Sequence, residues 1–109
     1  MLELTPLQRR ALRGLQRTYG SELPARAAEV AEAAFALGIG RGDRRALQAL
    51  RHLAHRLAGS AAICGFPDVG ELARRIEDLA VSAGGRGEAT REVVAELRRL
   101  SRRLRRAAA

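Results

Sequence analysis

The 109-residue chain holds two histidines, both inside Arg51-His52-Leu53-Ala54-His55-Arg56-Leu57-Ala58-Gly59-Ser60-Ala61-Ala62. Imidazole offers a nucleophilic nitrogen, a proton relay or a metal-ligating lone pair near neutral pH, so this stretch could carry chemistry. On a helix turning about 100° per residue, with His55 at zero, Ala46, Leu50, Leu53, Leu57, Ala61 and Cys64 fall between about 160° and 240°. Such a stripe faces a core, which points His55 into water. Its neighbours on the exposed face are Gln48, Arg51, Ala58, Gly59 and Ala62, so the turn beyond the imidazole carries almost no bulk. A glycine in mid-helix costs about 1 kcal/mol relative to alanine. Gly59 projects to solvent, so access to the imidazole explains it better than packing does.

His52 projects about 60° from His55 and has Arg56, not glycine, one turn on; it reads as a shoulder of the site. The two histidines lack the i, i+4 spacing of a zinc-binding helix and no carboxylate joins them on that face, so no metal is expected. Cys64 projects to the core as a small buried hydrophobe. The chain contains no lysine and no phosphate-cradling glycine loop, so it is not expected to bind ATP.

The elements that carry these residues are helical. Aromatics make up 3% of residues, and alanine, leucine and arginine dominate. Thr5-Pro6-Leu7-Gln8 forms a capping box that starts a helix over residues 6–19, with Gly20 ending it and Ser21 capping the next. Leu23, Ala27, Val30, Ala34 and Leu37 give that second helix its apolar face. The glycine-rich stretch Gly38-Ile39-Gly40-Arg41-Gly42 separates it from a third, capped by Asp43, that runs to Cys64. Gly65-Phe66-Pro67 breaks the chain before Asp68-Val69-Gly70-Glu71 caps a fourth, carrying Val69, Leu72, Ile76 and Leu79. Gly84-Gly85-Arg86-Gly87 then reads as a turn before a last helix with Val93, Leu97, Leu100 and Leu104, whose terminal alanines fray. Short loops favour antiparallel neighbours. The expected fold is all-α: one domain over 1–109, an up-and-down four-helix bundle over 21–106 with an additional N-terminal helix over 1–20.

The stretch His55-Arg56-Leu57-Ala58-Gly59-Ser60-Ala61 resembles the phosphorylation motif of histidine-containing phosphotransfer (Hpt) domains, His-x-Leu-Lys-Gly-Ser-Ala. Gly65 is similar to the glycine that closes that family's central helix, Leu72 and Ala73 fit its next helix, and Ile76-Glu77 resembles that helix's hydrophobic-Glu ending. The resemblance covers residues 21–106 as a helical pattern. It implies that the chain is a stoichiometric phosphocarrier, not an enzyme, of bacterial two-component phosphorelays. His55 would attack the aspartyl phosphate of a receiver domain in line through Nε2 and pass the phosphoryl group to another response regulator. The implied partners are receiver domains and a hybrid histidine kinase, with Mg²⁺ held in the receiver and no cofactor in this chain. At Ala58 the family motif has lysine. Arg51, at about −40° in the projection, or Arg56, at about +100°, can support the phosphoryl charge instead, and Arg51 is the better placed. Gln48, His52, Ala58, Gly59 and Ala62 form the expected partner surface.

One cysteine, no secretory signal pattern and no apolar run of membrane-spanning length place the chain in the cytoplasm, and a monomer is expected. The net charge of +8 rests on 20 basic residues, all arginine, and suits an acidic receiver face. Two other classes fit the residues. One is an Hpt-fold adaptor or kinase inhibitor that carries no phosphate, favoured by Ala58. The other is nucleic-acid binding through Arg98, Arg99, Arg102, Arg103, Arg105 and Arg106, which lacks a recognition helix or stacking aromatics and is not the expected function.

Overall fold

The computed structural model describes residues 3–37, 44–87 and 89–109. Within them lie four helices: α1 (Pro6–Phe35), α2 (Arg44–Ile63), α3 (Pro67–Arg86) and α4 (Arg91–Ala108). The expected glycine loop and the Asp43 cap lie outside the described residues.

The first helix starts as its capping box dictates. The Thr5 hydroxyl accepts from the Gln8 amide at 3.1 Å, and the Gln8 side chain accepts from the Thr5 amide at 2.8 Å. The helix does not stop at Gly20, however, and the separate N-terminal helix expected over 1–20 is the first half of α1. Three local signals are overridden here. Gly20 is used for close approach, since a Cβ there would stand 3.0 Å from Cζ of Phe66. Ser21, read as a cap, donates its hydroxyl to the Thr18 carbonyl within the helix at 2.7 Å. Pro24 lies inside the helix and removes one N–H. The stripe of Tyr19, Leu23, Ala27, Val30, Ala31 and Ala34 crosses the junction and is buried throughout, so tertiary packing offsets the local penalties.

The α2 core face holds Leu47, Leu50, Ala54, Leu57 and Ala61, with Ala46, Leu53 and Cys64 half-buried against it. That stripe is turned towards Ala54 relative to the sequence projection because α3 lies along this side. Gly65 ends the segment at φ +91°, where a side chain would be strained. The start of α3 differs from the expected Asp68 cap: Phe66 is the N-cap without a side-chain bond, Pro67 occupies the first turn and Asp68 lies inside it. Proline there is preorganised for a helix, and an acid in the first turn favours the positive helix end. Nor do Gly84, Gly85 and Arg86 form a turn; they continue α3 until Gly87, at φ +72°. The α4 helix begins at Thr90, whose hydroxyl accepts from the Val93 amide at 3.2 Å. The helix runs on through Ala108, which is buried and joins the core, and Ala109 is its C-cap.

Each helix packs on two neighbours, α1 and α3 each on α2 and α4. The result is a four-helix bundle around one apolar cluster drawn from all four helices. At about 1.5 Å per residue α1 is about 45 Å long against about 30 Å for α2, so its first turns overhang the bundle. Leu7 and Leu15 on that overhang are exposed.

Candidate functional site

The register between α2 and α3 sets the site. A Cβ on Gly70 would lie 3.3 Å from the Ala58 carbonyl oxygen and 3.3 Å from the Ala62 nitrogen. Glycine on one helix and alanines on the other therefore let the two backbones approach closely. With Gly70 against Ala58 and Ala62, and Glu77 against His55, numbers rise along α2 as they fall along α3, so the pair is antiparallel. Between them runs a groove of about 340 Å³ lined by His55, Ala58, Gly59 and Ala62 from α2 and by Gly70, Arg74 and Glu77, among others, from α3.

His55 is exposed over 71% of its side chain, and its Nδ1 stands 2.7 Å from Oε2 of Glu77, itself 19% exposed. A carboxylate accepts, so Nδ1 carries the proton and Nε2 keeps its lone pair in the neutral ring. No other hydrogen bond engages the His55 ring among the described residues. An exposed imidazole oriented by a half-buried carboxylate has the geometry of a held nucleophile, and the carboxylate would stabilise positive charge on the ring were Nε2 to form a bond.

Of the residues singled out in the sequence, the groove gathers His55, Ala58, Gly59 and Ala62. A Cβ on Gly59 would meet nothing within 4 Å, so no packing within the chain demands this glycine. Gln48 and Arg51 line a different groove, with Arg44, Ala80 and Gly84. Arg56 lines a third, between α1 and α2, with Glu22, Arg26 and Leu53. His52 is exposed on α2 and does not line the groove of His55. Of the α4 arginines, the Nη2 of Arg98 donates to the carbonyls of Phe35 and Leu37 at the end of α1, at 3.5 and 3.2 Å. Arg99 pairs with Glu96 at 2.6 Å and, by donating hydrogen bonds, holds that carboxyl below the usual carboxylate range.

Glu77 and Arg74 are the site residues that reasoning from spacing did not place. Glu77 stands beside core residue Ile76 and so flanks the buried face, but only the α2–α3 register brings it to His55. Ser60, next to Gly59, has a structural part. Its hydroxyl donates to the Arg56 carbonyl at 2.8 Å, which leaves the Tyr19 hydroxyl to donate to Ser60 Oγ at 2.6 Å, tying α1 to α2 behind the groove.

The family model described as Hpt domain matches residues 14–107, which takes in all of α2, α3 and the interface that joins them. No curated protein and no solved structure matches the chain. With nearly its whole length matched, and with its helices packed as a four-helix bundle, the chain belongs to the Hpt domain family of two-component phosphorelays, whose members carry phosphoryl groups without themselves being enzymes.

Proposed function

We propose that His55 accepts a phosphoryl group on Nε2 from the aspartyl phosphate of a receiver domain and passes it to the aspartate of another response regulator. The observation that carries this reading is the contact between His55 Nδ1 and Glu77 Oε2, which commits one ring nitrogen and leaves the other for attack. Transfer of this kind needs positioning and charge stabilisation more than covalent machinery, and Mg²⁺ and the acidic pocket belong to the receiver. The chain itself binds neither ATP nor a cofactor. The surface around the groove, Ala58, Gly59 and Ala62 with Gln48 and His52 further along α2, receives the receiver, and the +8 charge speeds its approach. The donor is the receiver of a hybrid histidine kinase, and the carrier works as a cytoplasmic monomer.

The test is transfer from a phosphorylated receiver. Acid-labile, base-stable phosphate should appear on the wild-type chain and on His52→Gln, and be absent from His55→Gln. Loss of label in His52→Gln alone would assign the site to the other histidine. Ala58, standing where the family motif has lysine, favours a second reading, an adaptor or kinase inhibitor that is never phosphorylated. A chain that binds the receiver yet takes no label would establish that reading instead.

A further inference from the structure

A phosphoryl group on an imidazole carries about two negative charges near neutral pH, and the motif position that ordinarily supplies a cation is Ala58. The antiparallel register shows what stands opposite. Glu77 lies against His55 and Gly70 against Ala58 and Ala62, so Arg74, one turn before Glu77 on α3, comes level with Ala58, one turn beyond His55 on α2. Arg74 lines the same groove as His55, Ala58, Gly59 and Glu77. It is exposed, and among the described residues its guanidinium has no ion pair or hydrogen bond, whereas the adjacent Arg75 pairs with Glu71 at 3.6 Å. Arg51 and Arg56 line other grooves. A small side chain at 58 keeps the floor between Arg74 and the imidazole clear, and a planar guanidinium can grip two phosphoryl oxygens at once.

We infer that Arg74 is the phosphoryl-binding cation of this carrier, transplanted from α2 to the facing position on α3. This rests on the reading of His55 as the phosphoryl acceptor. In the step it serves, the Nε2 lone pair forms the P–N bond while the P–O bond of the acyl phosphate breaks and its electrons leave with the donor carboxylate. The Nδ1 proton stays in place facing Glu77, and Arg74 takes up the charge on the phosphoryl oxygens.

The test uses the full chain and phosphoramidate, a small donor whose phosphoryl group moves to imidazole as ammonia leaves, followed by ³¹P NMR. Arg74→Ala should slow phosphoryl uptake by about tenfold or more, the weight of a charge-assisted hydrogen bond. It should also move the titration midpoint of the phosphoryl oxygens upwards. Arg74→Lys should retain part of the rate. In the Arg74→Ala background, Ala58→Lys should restore both rate and midpoint, which a merely structural arginine would not allow. A wild-type chain labelled at His55, with Arg74→Ala matching it in rate and titration, overturns the inference and leaves the phosphoryl-acceptor reading standing. A wild-type chain that takes no label at His55 overturns both.

Discussion

Glu77 Oε2 and His55 Nδ1, 22 residues apart in sequence, meet at 2.7 Å across the α2–α3 interface. A carboxylate accepts, so this contact favours the proton on Nδ1 and would steady a positive charge on the ring. Glu77→Ala should therefore let the two tautomers mix, visible in the ¹⁵N shifts of the His55 ring. It should also slow phosphoryl uptake by about tenfold to a hundredfold, since a hydrogen bond to a charged group contributes about 1.5–3 kcal/mol. Glu77→Gln keeps an acceptor without the charge and should preserve the tautomer while losing part of the rate. Unchanged ring shifts in Glu77→Ala would show that the carboxylate does not orient the imidazole.

Gly59 faces open space, so its absence of a side chain serves no contact within the chain. Gly59→Ala should stabilise the bundle by about 1 kcal/mol through helix propensity alone, raising Tm by several degrees. Transfer from a bulky receiver should slow as the methyl intrudes on docking, while uptake from phosphoramidate stays at the wild-type rate. A receiver reaction as fast as the wild type's would remove the access explanation for this glycine.

These two residues divide what the sequence discloses from what it withholds. The exposure of His55 and Gly59 follows from helical period on one element, because the apolar stripe of α2 names its own opposite face. The Thr5 capping box is equally local, and it forms as read. Gly20 and Ser21 mislead because a good local stop and a good local cap are both outweighed by a stripe buried from Tyr19 to Ala34 and by the Phe66 ring that Gly20 admits. Glu77 and Arg74 are invisible to a single-helix projection for a different reason: their place depends on how α3 slides along α2. That slide is set by contacts of Gly70 that no periodicity encodes.

The tie between Tyr19 and Ser60 joins the point where α1 leaves the bundle to the helix that carries His55. Tyr19→Phe keeps the ring beside Phe66, at 5.9 Å between centroids, and removes only the hydroxyl. It should cost about 1 kcal/mol in denaturant unfolding. Ser60→Ala should cost a similar amount, and the double variant should lose less than the two single losses added, since both remove one shared bond. Strict additivity would mean that the hydroxyls do not interact in solution.

Gly70 offers the opposite case to Gly59. The same change to alanine gains about 1 kcal/mol of helix propensity, but here the methyl meets two backbone atoms of α2 at 3.3 Å, which cannot rotate away as a side-chain tip can. Overpacking of this kind costs about 1–3 kcal/mol, so the net effect of Gly70→Ala should be a loss of up to about 2 kcal/mol, and of Gly70→Val a larger one. Because this contact holds the register that aligns Glu77 with His55 and Arg74 with Ala58, the ¹⁵N signature of the fixed tautomer should weaken in step with stability. Gly59→Ala should leave that signature unchanged. A folded Gly70→Val chain with wild-type ring shifts would show that the register is held elsewhere along the α2–α3 interface.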